Sequence, residues 1–166
     1  MSALAIKTSQ QAPEQILSSA SRAIMETAAR EIFEIMLGLQ LARSAAVDPP
    51  VVADVTVLVG FSGQWRGVFG LHCQAHTACR LATLALGADT DEFDERVLDA
   101  VGEIANMVAG SFKSKIPGLG ENSFLSVPSV ISGADYHRHV AFGGEHLEMS
   151  LSCEGSPIWL TLDLRK

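Results

Sequence analysis

Asp99, Glu103 and Asn106 are the residues of this chain whose types and spacing could do chemistry together, in the run Asp99-Ala-Val-Gly-Glu103-Ile-Ala-Asn106-Met-Val-Ala-Gly110. At roughly 100° per helical residue, with Asp99 as zero, Glu103 falls at about 40°, Asn106 at about −20° and Gly110 at about 20°, one narrow stripe. Val97, Val101, Ile104, Val108 and Phe112 fall at roughly 140° to 220°, on the opposite side, so an apolar stripe can dock while the polar one faces outward. A carboxamide oxygen can accept a hydrogen bond from water while its N–H group keeps a fixed orientation; a carboxylate only accepts.

A plain solvated face would also put polar residues opposite an apolar stripe. Two residue choices argue against it. Asn and Gly are poor helix-interior residues, costing several tenths to about 1 kcal/mol each relative to Ala, and an ordinary exposed face would use Glu, Lys, Gln or Arg. Gly110, one turn beyond Asn106, and Gly102, beside the stripe, leave room for another surface to approach.

The elements that must position this stripe follow from the pattern along the chain. Residues 1–13 are polar and read as a loose lead-in, leaving 14–166 as one domain. Ile16, Leu17, Ala20, Ile24, Ala28, Ile32, Ile35 and Leu39 recur at three- and four-residue steps, which predicts a long helix from Pro13 to Arg43, stopped by Asp48-Pro49-Pro50. Residues 51–61 and 64–73 read as a hairpin turning at Ser62-Gly63. A short helix over 76–86 is stopped by Gly87, and the second long helix runs over 92–115, with Lys113 and Lys115 in its last turn and Pro117-Gly118 after it. Strands are expected over 124–132, 138–142, 145–153 and 157–164. Consecutive strands of this kind favour α+β, two long helices on a largely antiparallel or mixed sheet, over a doubly wound parallel one.

The two long helices resemble each other. Glu31-Ile-Phe-Glu-Ile-Met-Leu-Gly38 aligns without gaps on Glu103-Ile-Ala-Asn-Met-Val-Ala-Gly110, and each helix precedes a strand set. A duplicated helix-plus-strands unit accounts for the match better than chance, because both copies keep a glycine that helix propensity disfavours.

With these residues in place, the chain resembles the CheC/CheX/FliY chemotaxis phosphatases from about residue 15 to 164. Asp99-x3-Glu103-x2-Asn106 is similar to that family's signature, and Pro128 resembles the proline completing it, at a spacing one residue short. In the first helix Glu31 is kept, but Thr27 stands at the place of Asp99 and Glu34 at the place of Asn106. A carboxylate there would repel a phosphoryl group and offers no amide N–H. One intact copy resembles the one-site form, CheX, rather than the two-site CheC.

The resemblance implies a CheC-like duplicated fold and hydrolysis of the phospho-aspartate of a CheY-like response regulator in chemotaxis or two-component signalling. It implies that Asn106 orients the attacking water, that Glu103 pairs with a lysine of the regulator's active site, and that Asp99, Gly102 and Gly110 support docking. No cofactor is expected on this chain, and the Mg2+ would belong to the regulator. A homodimer through sheet edges is implied as well. A non-catalytic docking module for a receiver or flagellar-switch protein remains the alternative, with a ligand-sensing or dimerisation module behind it.

Composition excludes other classes. The chain has 166 residues, 48% hydrophobic and 19% charged, and a formal net charge of −7. That balance supports a buried core, and without a basic stripe it excludes duplex nucleic acid or an anionic membrane as the expected partner. No apolar run reaches spanning length, the start is unlike a signal peptide, and Cys73, Cys79 and Cys153 read as reduced thiols, so a cytoplasmic location is expected. His72, His76, Cys73 and Cys79, or His137 and His139, lack standard metal-site spacing, and no P-loop, GxSxG or GxGxxG pattern is present.

Overall fold

Met25, Ala29, Phe33 and Leu37 recur at four-residue steps and, with Ala28 beside them, bury one side of the first helix, α1 (Ser19–Leu37). The computed structural model describes residues 19–44, 53–90, 93–133, 136 and 144–166. The expected lead-in, the helix start at Pro13, the Asp48-Pro49-Pro50 stop and the strand at 138–142 lie outside them.

α1 is shorter at its end than the periodicity predicts. Gly38 takes the left-handed conformation at φ +65° and its N–H donates to Glu34 O at 3.0 Å. The chain then turns into β1 (Leu41–Arg43), which pairs with the sheet instead of continuing the helix. The buried stripe is also rotated from the expected one: Ile35 is 76% exposed and Ala20 is exposed, whereas Phe33 and Met25 are fully buried.

β2 (Val55–Gly63) and β3 (Arg66–Cys73) form the predicted hairpin, with its turn at Gln64-Trp65. The turn falls two residues later than expected because Gly63 still pairs, with Ser123. α2 (Ala75–Leu86) ends at Gly87 in the left-handed conformation, as predicted. α3 (Glu95–Lys115) follows, capped by Asp94, whose carboxylate accepts from the N–H groups of Arg96 and Val97 at 3.0 and 3.2 Å. The expected strand over 124–132 is two strands, β4 (Ser123–Leu125) and β5 (Ser129–Ser132), both paired to β2 and parted by Ser126-Val127-Pro128. Pro128 has no N–H to give to a ladder. β6 (Glu145–Cys153) and β7 (Ser156–Arg165) complete the sheet as predicted, within a residue or two.

Among the described residues the result is α+β: three helices on a seven-stranded sheet whose ladders are all antiparallel. Strand order is β1-β6-β7-β3-β2-β4, with β5 also on β2. Read outward from the β7–β3 centre, this order repeats. Each half contributes a hairpin (β2–β3 or β6–β7), and the strands that follow each long helix (β1, or β4 and β5) pair with the other half's hairpin. That pseudo-two-fold arrangement is the structural form of the duplication seen in sequence.

The helix-facing side chains of the central strands, among them Val57, Val59, Phe69, Leu71, Leu160 and Leu162, are fully buried under Phe33, Phe112 and Val108. At the junction of the halves, Gly67 of β3 lies so close to β7 that a Cβ would overlap the Asp163 carbonyl oxygen. The opposite sheet face carries a polar row in which His72 bonds Thr56 through Nδ1 at 2.8 Å and Thr161 through Nε2 at 3.0 Å. All three cysteines are free thiols; burial pushes Cys73 up to about 12 and Cys153 up to about 11.

One ion cluster ties α1 to β1. Glu26, with 14% of its side chain exposed, takes Arg43 at 2.9 Å and its neighbour one turn on, Arg30, at 2.8 Å. The hydrogen bond from Arg43, seconded by Arg30, holds its carboxyl below the usual range despite partial burial. A lowered folded-state pKa contributes stability above the unfolded value and loses it as pH falls. Glu26→Gln is therefore expected to cost about 1 kcal/mol at pH 7, since Arg43 is largely solvated, and less at pH 3. Urea melts of both proteins at the two pH values check this.

Candidate functional site

The α3 face predicted to be apolar is buried: Val97, Val101, Ile104, Val108 and Phe112 all lie in the core. The register therefore turns Asp99 and Glu103 to solvent, both exposed, with Asn106 and Gly110 partly exposed beside them. No hydrogen bond or ion pair within the protein engages Asp99, Glu103 or Asn106 among the described residues. An amide and a carboxylate one helical turn apart thus stand in water with their hydrogen-bonding capacity unspent.

Gly102 does something other than expected. It is buried, and the surface that approaches it belongs to the same chain: a Cβ there would meet Pro128 Cβ at 3.6 Å and Val130 Cγ2 at 3.4 Å. The β4–β5 loop therefore lies against α3 one residue before Glu103. That loop is pinned. Ser126 N–H donates to Gly60 O at 2.9 Å, Gly60 N–H donates to Ser126 Oγ at 2.8 Å, and the Ser126 hydroxyl donates to Val127 O at 2.8 Å. Residue types alone gave no reason to place Val127 or Val130 at this site, because both sat inside a predicted strand.

Gly110 has only Leu125 Cδ1 near its missing Cβ, at 3.8 Å, an ordinary contact. Gly110→Ala is expected to raise stability by about 0.5–1 kcal/mol through helix propensity, read as a higher urea midpoint. Its aligned partner, Gly38, proves to be a helix terminator rather than an interior residue, so the glycine match joins two different structural roles.

On the aligned face of α1 the matching carboxylate is engaged by the protein itself. Glu31, the counterpart of Glu103, is bound by Lys115 Nζ of α3 at 2.7 Å. Arg30 fills the place of Gly102, donating to the Leu41 carbonyl and to Glu26. Glu34 is exposed, as is Thr27. This face has neither the amide nor the cleft that admits Pro128.

Among the described residues no group of three or more His, Cys, Asp or Glu could hold a metal ion, and no helix is long and apolar enough to cross a membrane. His137 and His139 lie outside the described residues.

A family model for the chemotaxis phosphatase CheX matches residues 55–150, more than half of the chain and the stretch that holds α3 and the β4–β5 loop. The CheY-P phosphatase CheX of Thermotoga maritima is 29% identical over 83 residues, 49% of this chain and 54% of that protein, so the chain spans about half the length of this relative. Among solved structures, the chemotaxis protein CheX from Vibrio vulnificus has a TM-score of 0.75 at 24% identity, covering 87% of this chain and 96% of its own. The CheX of a CheX–CheY–BeF3–Mg2+ complex from Borrelia burgdorferi has a TM-score of 0.71 at 21% identity, covering 88% and 98%. The structural likenesses speak for the fold; together with the match over β2 to β6, they place this chain in the CheX family of chemotaxis phosphatases.

Proposed function

We propose that this chain is a phosphatase for the phospho-aspartate of a CheY-like response regulator, and that α3 enters the regulator's phosphorylated pocket. The observation that carries the reading is the solvent-facing pair Glu103 and Asn106, both free of internal partners. In-line displacement at phosphorus needs a placed water and stabilised charge more than a strong base. The Asn106 amide oxygen accepts from the water and holds it opposite the acyl oxygen. The water's oxygen bonds to phosphorus, the phosphorus–oxygen bond to the aspartate breaks, and the products are inorganic phosphate and a free carboxylate. Glu103 pairs with a cation of the regulator's pocket, orienting the helix. Asp99, one turn earlier, is a supporting contact. The Mg2+ belongs to the regulator, and this chain binds no cofactor of its own.

The relative named a CheY-P phosphatase and the structural neighbour bound to CheY support this assignment. The α1 face, with Glu31 paired to Lys115 and a carboxylate in place of the amide, supports one site per chain. We further propose a cytoplasmic homodimer assembled through sheet edges, for which light scattering at micromolar concentration is the check: a monomeric mass removes it. The function itself is tested by incubating the purified protein with several phosphorylated receivers and following phosphate release. No acceleration over spontaneous loss with any of them would overturn it.

A further inference from the structure

The polar stripe explains how a phosphoryl group could be met, but it supplies little to hold a protein in place. Interfaces draw most of their affinity from a few side chains that become fully buried in a core poor in charge, ringed by weaker contacts. Val127 is 85% exposed, more than the other exposed large hydrophobics among the described residues. Its place in the loop is fixed on both sides. Ser126 is tied to Gly60 by two hydrogen bonds, and Pro128 rests over Gly102, immediately before Glu103. Proline also limits the backbone freedom of the residue before it. Phe124, at 70% exposure, pairs with Ser62, and Ile131 pairs with Thr56, which puts both on the sheet face away from the helices. Ile35 and Met36 lie at the far end of α1.

We infer that Val127 is the apolar anchor of the regulator-binding surface, seating in an apolar patch that borders the receiver's phosphorylation pocket. This rests on the function proposed above, because a receiver that brings its phosphoryl group to Asn106 must lie across the neighbouring β4–β5 loop. A loop already held in its bound shape loses little freedom on binding, so the side chain it presents contributes its full burial to affinity.

The experiment titrates a BeF3- and Mg2+-loaded receiver into the wild-type chain, Val127→Ala and Val127→Asp, and runs the phosphate-release assay on the same proteins. Val127→Asp is expected to weaken binding at least about tenfold and Val127→Ala about threefold, with the loss carried by KM rather than kcat and the melting temperature unmoved. If both variants bind within about twofold of wild type while wild type hydrolyses the phospho-receiver, the anchor is overturned and the phosphatase stands. If the wild type neither binds nor hydrolyses any receiver, the phosphatase reading falls and the anchor with it.

Discussion

Asn106→Ala is expected to slow phosphate release from a phosphorylated receiver by about 10²- to 10³-fold while leaving receiver binding nearly intact. The reason lies in what the side chain touches. Asn106 is partly exposed and supports no internal hydrogen bond, so removing its amide takes nothing from the fold. The loss falls on the step in which a water must be held in line with the breaking bond. Asn106→Asp keeps the size and recreates on α3 what Glu34 presents on α1, a carboxylate facing a phosphoryl group. It should be at least as inactive as the alanine variant and should bind the phosphorylated receiver less well, through charge repulsion. Glu103→Ala, by contrast, should lose affinity together with rate. Single-turnover rates beside binding isotherms separate these outcomes. Full turnover by Asn106→Ala, with wild-type binding, would leave the chain a docking module.

The largest expected effect on stability comes from Gly67→Ala. The added methyl group would overlap a backbone oxygen of β7, an atom that cannot swing aside as a side-chain tip would. Relief requires the two central strands to separate where Gly67 faces Leu164 and Val68 faces Asp163. That junction joins the two halves, so the displacement spreads to both hairpins. A cost of about 3 kcal/mol or more is expected, beyond the usual range for an added methylene. Chemical denaturation measures it. A change below about 0.5 kcal/mol, the size of an ordinary surface substitution, would mean that the ladder shifts without resistance.

Much of this arrangement was legible in residue order, and the failures have identifiable physical causes. The α3 stripe was readable because helical period alone decides which side chains face water once Val97, Val101, Ile104, Val108 and Phe112 claim the core. The β6 and β7 strands announced themselves by alternation, and Gly87 punctuated α2, whereas the start of α3 was read at 92 because the acidic run hid Asp94 as the cap. Leu41–Arg43 was taken into the helix because its pairing with Leu151–Cys153 is a long-range fact that no local window contains. The break at Ser126–Pro128 was hidden by the apolar residues on either side, although a proline in a predicted inner strand was the available warning. Gly102 was read as a gap for a partner because sequence shows that space exists and not which neighbour fills it. The Lys115–Glu31 pair joins residues far apart in the chain, so the engagement of Glu31 on the α1 face had no sequence signal beyond the exchange of Asn for Glu.

The reciprocal lending of edge strands sets an order on biosynthesis. Until residues 123–132 leave the ribosome, β2 lacks the neighbours that β4 and β5 provide, and β3 lacks β7 until Ser156–Arg165 emerges. The hairpin β2–β3 thus waits for the strands made after it with both flanks bare, a state open to wrong pairing. Closure by such remote contacts is slow. Neither half can close its own side of the sheet, because each leaves a hairpin edge that only strands from the other cover.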